Sequence, residues 1–290
     1  MSSKTAEIYE SIMNAFKEEL KKGNNPFYSG VQISHHTKKP YQGFNSFHLA
    51  LVAKQKGYTC HEWLTFKQVK QHDGAVNKGE KSTPVFFFMP SAILEYGNGE
   101  KKWVSKDTAN KEVEKLEKEG YSVKRTDTFI LKYYNVFNVE QTTLRDKFEY
   151  KRSKEAPMSI RMATDTHITI INKEEPFFQY DDTIDVIVGP FFSYSTFPYP
   201  SFYKSVIEAT KHETRCDRLL DYKEEELVKN IGASMLAYAT SIDFHLDSEI
   251  IEALLEAIDK HPYSLWKYSR LADEGYRWIS EKAALLKAAA

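Results

Sequence analysis

A polar segment in the middle of the chain, residues 145–160 (RDKFEYKRSKEAPMSI), shows no apolar periodicity. Apolar side chains recur at helix or strand spacing on both sides of it, and segments of this composition usually join domains. A chain of 290 residues with 41% apolar residues is long and apolar enough for two cores. We therefore predict two domains, residues 1–150 and residues 151–290.

Helix and strand patterns follow one another irregularly in both segments, which is typical of an α+β fold. Asn45 is a predicted N-cap for a helix over 45–56, and Thr65 is one for the short helix FKQVKQH. The apolar run PVFFFMP (84–90) predicts a buried strand, and Gly97-Asn98-Gly99 predicts a hairpin turn. The other predicted elements are helices over 4–22 and 107–119, strands over 121–141, 167–171 and 184–188, and helices over 200–215, 223–241, 247–260 and 264–286.

The formal net charge is −1, but the charge is unevenly distributed along the chain. Residues 1–150 contain 23 Lys and Arg and 18 Asp and Glu, whereas residues 151–290 contain 17 and 23. Local charge steers a charged partner more strongly than net charge does. The positive excess of the first segment therefore indicates a polyanionic partner for that segment.

Two cysteines are too few for a disulfide framework, and the N-terminal residues have the pattern of a charged helix rather than of a signal peptide. No apolar run reaches the roughly 18 residues that a membrane span requires. These features predict a cytoplasmic protein without a membrane partner.

Lysines alternate with aromatic residues between Val31 and Val85, a stretch with eight lysines and three acidic residues. Single-stranded nucleic acid requires cations for its phosphates and flat apolar faces for its unpaired bases. In an alternative interpretation without a ligand, the lysines lie in solvated turns, and Trp63, Leu64 and Phe66 fill a core. Tyr41, in the turn KPYQG, is the aromatic residue that we most expect to be exposed.

Three stretches resemble the N-terminal domain of ArdC-type antirestriction proteins, which plasmids and phages carry: KKPYQGFN (38–45), GYTCHEWLTFKQVKQHDGAVNKGEKSTPVFF (57–87) and VFNVEQ (136–141). The order and spacing of their motifs match those of the family. That domain binds single-stranded DNA, so the resemblance implies the same partner here. The binding residues that it implies are Lys38, Lys39, Tyr41, Asn45, Trp63, Lys67, Gln68, Lys78 and Lys81.

The second domain of ArdC-type proteins resembles zinc metallopeptidases (zincins), with His-Glu-x-x-His on one helix and an acidic ligand on a later one. PFFQYDDTIDVIVGP (176–190) is similar to the family segment before the first helix, which here would be SVIEATKHETRCDRLL (205–220). The motif then falls on Ile207-Glu208-Ala209-Thr210-Lys211, and the third-ligand position falls on Asn230. The resemblance thus implies a zincin-like C-terminal domain without metal ligands.

Zinc needs ligands with lone pairs, which an aliphatic Ile207 and an ammonium group at Lys211 do not offer. Glu208 keeps the general-base position but has no metal-polarised water to act on. A shifted metal site through Glu208 and His212, with Glu213 and Cys216 nearby, remains an alternative because residues four apart share a helical face. A solvated ion pair of Glu208 with Lys211 or His212 is the simpler interpretation. We predict no catalytic residue and no cofactor.

We therefore expect a single-stranded DNA-binding protein of a phage or mobile element, located in the host cytoplasm, with a catalytically inactive second domain. The family resemblance implies that it protects incoming DNA from host restriction. One alternative is a DNA-bound adaptor, a transcription cofactor that recruits a phage RNA polymerase or a replication protein through the aromatic loop 191–203. The other alternative is an active metal-dependent peptidase.

Overall fold

The computed structural model describes residues 3–147, 156–191, 197–261 and 263–289. It confirms the predicted α+β fold. Contacts divide the chain into two compact units, one made of Met1–Ser11 with Lys81–Val136 and the other of Ile12–Glu80 with Phe137–Ala290. We call the first the hairpin unit and the second the main unit.

Nine helices and eight strands lie within the described ranges. The helices are α1 (Ser3–Lys21), α2 (Phe44–Lys56), α3 (Phe66–Gln71), α4 (Lys106–Lys118), α5 (Pro157–His167), α6 (Tyr199–Ala209), α7 (Tyr222–Thr240), α8 (Ser248–Lys260) and α9 (Ser264–Ala289). The strands are β1 (Ile33–Ser34), β2 (Glu62–Thr65), β3 (Thr83–Tyr96), β4 (Lys101–Ser105), β5 (Val123–Asn138), β6 (Thr169–Asn172), β7 (Gln179–Asp181) and β8 (Val186–Gly189). Short 3-10 helices span Val139–Gln141 and Arg145–Lys147.

The hairpin unit is built on the long strand β3, which pairs antiparallel with β4 on one side and with β5 on the other. The predicted turn at Gly97-Asn98-Gly99 is confirmed: the Gly99 N–H donates to the Tyr96 carbonyl, and Gly99 has φ 82°. Residues 84–90 form a strand, but the prediction that this strand is buried is wrong. Phe87 and Phe88 are both exposed.

The front of the main unit is a parallel pair of strands, β1 and β2, followed directly by α3. Thr65 caps α3 as predicted, and its side chain forms a capping box with Gln68. The prediction that Asn45 caps α2 is wrong. The helix begins one residue earlier, at Phe44, and its N-cap is Gly43.

The rear of the main unit contains the sheet β6-β8-β7 and the packed helices α5, α6, α7 and α9. Strands β6 and β8 are parallel, and β7 is antiparallel to β8. A single apolar core runs beneath α6, where Phe202, Tyr203, Val206 and Ile207 are fully buried. Helix α5 was not predicted, because it begins inside the polar segment from which no periodicity could be read.

The prediction of one helix over 205–220 is wrong, because α6 ends at Ala209. Two arginine side chains fold back onto the end of the helix. Arg218 donates to the Ile207 carbonyl (2.7 Å) and to Thr210 Oγ1 (2.6 Å), and Arg215 donates to the Ala209 carbonyl (2.9 Å). The last carbonyls of a helix lack partners within it, so these guanidinium groups stabilise an early end.

The predicted domain boundary at residue 150 falls among residues 148–155, which lie outside the described residues. In the main unit, residues from both predicted segments pack together. The Gly43 N–H donates to Asp273 of α9 (3.3 Å), and the Phe44 ring lies 5.4 Å from that of Trp266. A Cβ on Gly43, whose φ is 51°, would lie 3.1 Å from the Arg270 backbone. The functional division at residue 150 stays a prediction.

None of the helices in the described ranges combines the length and the apolar character that crossing a membrane requires.

Candidate nucleic-acid interface

Three neighbouring segments of the main unit carry most of the predicted binding residues: loop 34–41, helix α3 and loop 72–80. We call them together the front surface. The first segment is attached to β2 by the bond from His35 N–H to the Trp63 carbonyl (3.0 Å). The His35 and His72 rings, 5.1 Å apart, join the first segment to the third. Beneath these segments lies a small core of Leu64, Val69, Val139 and Leu144.

Most carboxylates around the front surface already accept hydrogen bonds from the protein. Glu62 accepts from Lys38 (3.2 Å) and forms a very short contact with His35. Glu80 accepts from Gln141 Nε2 (2.8 Å), and Glu140 accepts from the Cys60 N–H (2.6 Å). Acidic groups that are bound in this way compete little for the remaining cations.

Three predicted binding lysines of the front surface, Lys39, Lys67 and Lys78, are exposed and form no ion pair within the described parts of the chain, and the same holds for Lys70 of α3. Lys38 is also exposed, but it is held by Glu62 and has a left-handed backbone with φ 54°. Burial alone would raise the pKa of Glu62. The hydrogen bonds from His35 and Lys38 outweigh burial, so the pKa of Glu62 is lowered and its ionised form is favoured.

The aromatic residues of the front surface differ from the prediction. Trp63 is fully buried, and its indole N–H donates to Gln32 Oε1 (2.8 Å), so its predicted contact with a base is wrong. Tyr41 is half-buried rather than exposed. Phe66, which the interpretation without a ligand placed in the core, is 52% exposed, and the Lys70 ammonium lies 4.9 Å above its ring. The capping box at Thr65 makes Phe66 the first residue of α3, the one sequence signal that could have placed it outside.

The other predicted residues are dispersed. Asn45 is half-buried on α2, and Gln68 is used in the capping box. Lys81 is exposed but belongs to the hairpin unit. The structure therefore places Lys38, Lys39, Tyr41, Lys67 and Lys78 on the three segments of the front surface and leaves Asn45 and Lys81 outside it. The binding roles of all these residues stay predictions.

At the rear, the positions of the metallopeptidase motif form what we call the rear cluster: Glu208, Lys211, Glu226 and Lys229, with Asp182. The Glu208 carboxylate lies between two ammonium groups, at 3.5 Å from Lys211 and 3.3 Å from Lys229. Lys211 also contacts Asp182 (2.9 Å), and Lys229 contacts Glu226 at very short range. The sequence alone does not identify Lys229, because it comes close to Glu208 only where α7 packs on α6.

The rear cluster favours charged lysines. Burial alone would lower the pKa of both side chains. Hydrogen bonding to Asp182 and the charge of Glu208 outweigh burial at Lys211, and the charges of Glu208 and Glu226 do so at Lys229, so both pKa values are raised. Two charged ammonium groups beside the Glu208 carboxylate would repel a divalent cation.

The remaining motif positions do not fit a metal either. Ile207 is fully buried in the apolar core and has no lone pair, and Asn230, whose NH2 group donates to the Glu226 carbonyl (2.9 Å), has only a weak neutral oxygen to offer. Within the described ranges, no group of three or more His, Cys, Asp or Glu side chains is arranged to hold a metal ion. The donor chemistry of the rear cluster is therefore unsuited to a zinc ion at the motif positions.

The geometry behind the shifted metal site is also wrong. Because α6 ends at Ala209, Glu208 and His212 do not share a helical face. His212 Nδ1 contacts Thr214 Oγ1 (2.9 Å), and its Nε2 lies 3.8 Å from Asp185. Burial raises the pKa of the Cys216 thiol, which disfavours the thiolate that a metal would bind.

Comparison with known proteins supports the predicted relationship. The family model for the N-terminal domain of anti-restriction factor ArdC matches residues 4–137. The fold is similar to the metal-free crystal structure of the antirestriction ArdC protein from plasmid R388, with a TM-score of 0.71 and 23% identity over 96% of this chain and 98% of that chain. The Mn(II)-bound structure of the R388 protein gives a TM-score of 0.71 and 22% identity, over 95% of this chain and 98% of that chain.

No protein with a curated description matches the chain. The resemblance predicted from residues 38–45, 57–87 and 136–141 is confirmed by the family match and by the fold. Residues 4–137 thus match the model of the ArdC N-terminal domain, and the chain as a whole has a fold similar to that of the antirestriction ArdC structures.

Proposed function

We propose that this protein binds single-stranded DNA through its front surface and that it belongs to a phage or another mobile element. The observation that carries the proposal is the separation of charges on the front surface. Lys39, Lys67 and Lys78 are exposed and unpaired within the described residues, while Glu62, Glu80 and Glu140 are bound by the protein itself. Such lysines are available to phosphates.

The exposed Phe66 ring supports a single strand over a duplex as the ligand. An unpaired base can stack on an aromatic ring, and each stacked base contributes ~1–3 kcal/mol, whereas a duplex keeps its bases inside. Protection of incoming DNA from restriction is proposed from the likeness to the R388 protein, whose crystal structure is described as that of an antirestriction protein from a plasmid.

A salt titration tests the binding. The affinity of the full chain for an oligothymidylate should fall as salt rises, with a log–log slope of about −0.7 per neutralised phosphate. Lys39→Ala, Lys67→Ala and Lys78→Ala should each reduce the slope, while Lys223→Ala, at an exposed lysine of α7, should not. Parallel titrations with duplex DNA and RNA measure the preference. A salt-independent affinity, or tighter binding of duplex, would contradict the proposal.

We further propose that the second domain works as a scaffold without peptidase activity. The R388 protein has been crystallised with Mn(II). In the present chain, the ammonium groups of Lys211 and Lys229 flank Glu208, Ile207 offers no ligand, and Asn230 offers only a weak neutral one. Elemental analysis of the purified protein tests this directly. Stoichiometric zinc or manganese, released by Glu208→Ala, would favour the active peptidase instead.

The adaptor function stays a prediction. Its proposed contact patch is loop 191–203, and residues 192–196 of this loop lie outside the described residues.

A further inference from the structure

One face of the sheet of the hairpin unit carries a row of exposed aromatic side chains. Neighbours across an antiparallel pair lie on the same face, and alternate residues of a strand share a face. Phe87, Met89 and Ile93 of β3 therefore lie together. Their partners in the register are Lys132, Ile130 and Trp103, respectively. We call this the outer face.

Aromatic rings stand at both ends of the outer face. Phe87 is 40% exposed and lies 6.0 Å, between ring centroids, from Tyr134, which is 41% exposed. Trp103, at the other end, is 57% exposed. Phe87 and Ile93 are six residues apart, a distance of about 20 Å along a strand. Solvent-exposed rings in such a row are unusual on a surface that binds nothing.

The helices of the hairpin unit pack on the opposite face. Ala92 and Leu94 of β3 form a cluster with Ala109 of α4, and Phe86 contacts Tyr9 of α1 with ring centroids 5.5 Å apart. Since Phe86, Ala92 and Leu94 alternate with Phe87 and Ile93, these contacts of α4 and Tyr9 are not made with the outer face.

The outer face is also cationic. Lys132 lies opposite Phe87, and Lys124 lies opposite Glu95. Neither lysine forms an ion pair within the described ranges. Lys101, on the other side of Glu95, contacts that carboxylate at 3.6 Å. The outer face thus carries three lysines and one acidic residue around a flat apolar row. This arrangement complements a ligand with negative charge and flat apolar rings.

We infer that the outer face is a second binding surface for single-stranded nucleic acid. Bases stack on the Phe87–Tyr134 pair and on Trp103, and Lys132 and Lys124 contact phosphates. The inference rests on the proposed function but uses residues separate from the front surface. A protein partner is the competing occupant, which the lysines beside the exposed rings make the poorer match.

The fluorescence of Trp103 provides the first test, with the full chain and an oligothymidylate. Stacking should quench the tryptophan emission, and Trp103→Phe should remove most of the quenching, because Trp103 is the most exposed of the four tryptophans: Trp63 is buried, and Trp266 and Trp278 are half-buried. Phe87→Ala and Tyr134→Ala should each weaken binding by about 5- to 100-fold without changing the salt slope. Lys132→Ala should weaken binding and reduce the slope by about 0.7.

Phe129→Ala is the matched control. Phe129 lies on the same strand as Tyr134 and is 64% exposed, but it pairs with Pro90 and so lies on the opposite face. It should bind within about twofold of the wild type. Thermal melting of every variant checks that the fold is retained, which these exposed positions allow.

The outcomes separate the two hypotheses. If the wild type binds single strands and the Phe87→Ala/Tyr134→Ala/Trp103→Phe variant binds equally tightly, the second surface is wrong and the proposed function stands. If the wild type binds no single strand, both are wrong. If the wild type self-associates in sedimentation and the triple variant does not, the outer face is a protein interface and the inference is overturned.

Discussion

The lysines of the front surface and those of the rear cluster lie in the same main unit but have opposite surroundings. At the front, carboxylates accept hydrogen bonds from the backbone or from other side chains, and Lys39, Lys67 and Lys78 extend into solvent. At the rear, Lys211 and Lys229 are partly buried against Glu208. A lysine can serve an external anion only where the protein has not already neutralised it, so lysine content alone does not locate a binding site.

The largest effect in this comparison is expected from the buried ion pair next to the rear cluster. Arg218 contacts Glu225 at 2.5 Å, and both side chains are almost fully buried. Arg218→Ala leaves a buried carboxylate unpaired and also removes the cap from α6, so we expect a loss of about 3–5 kcal/mol in the free energy of unfolding. Urea unfolding measures the loss. Lys38→Ala, which breaks the partly exposed pair with Glu62 and leaves that carboxylate its contact with His35, should cost about 1 kcal/mol or less.

The loss of stability in Arg218→Ala should depend on pH. Burial raises the pKa of Glu225, although Arg218 acts in the opposite direction. Without the arginine, the pKa should rise further. A carboxyl with a raised pKa in the folded state costs stability when it is ionised, and this cost disappears as the pH falls through that pKa. The deficit of Arg218→Ala should therefore be smaller at pH 5 than at pH 7. An unchanged deficit would mean that packing, not charge, is responsible.

The next effect concerns binding. Replacing Lys39, Lys67 and Lys78 together by alanine should weaken single-stranded DNA binding on the order of 10- to 100-fold and reduce the salt slope by about 2. Lys211→Met, at the rear, should leave both quantities unchanged. Fluorescence anisotropy at several salt concentrations measures them. Equal losses in the two variants would remove the distinction between front and rear.

A smaller effect is expected from acidification at the front surface. The pKa of Glu62 is lowered in the folded state, because the hydrogen bonds from His35 and Lys38 outweigh burial. The stability that this carboxylate contributes is present above its unfolded pKa and is lost as the pH falls through its folded pKa. Glu62→Gln should flatten this part of the dependence of the melting temperature on pH, below about pH 4.5. A profile parallel to that of the wild type would contradict the assignment.

The smallest effect should be that of metal. A ligand that binds the folded state raises the melting temperature, so manganese or zinc should leave that of this protein unchanged, as should a chelator. A melting temperature that rises with metal concentration and falls back on chelation would show that the rear cluster accommodates a cation despite its lysines.

Local signals in the sequence predicted the elements that depend on local chemistry. The capping box of Thr65 with Gln68 and the Gly97-Asn98-Gly99 turn occur where they were expected. The substitutions Ile207 and Lys211 were also visible as unsuitable for a metal. Each of these predictions depends on residues that are close together in the chain.

The features that were predicted wrongly depend on distant contacts. Trp63 is buried where its indole N–H donates to Gln32, 31 positions earlier in the chain. The end of α6 at Ala209 is determined by Arg215 and Arg218, which return to the helix from the following turn. Periodicity carries no information about such contacts, so the helix predicted from the sequence is too long.

The docking of Gly43 and Phe44 onto α9 has a practical meaning for dissecting the molecule. A fragment cut at residue 150 would lose the helix that shields Phe44 and anchors the base of the loop bearing Lys38 and Lys39. If that fragment did not bind an oligonucleotide, the cause would be a collapsed loop. Helix α9 contributes no lysine to the front surface, and yet its removal would disable that surface.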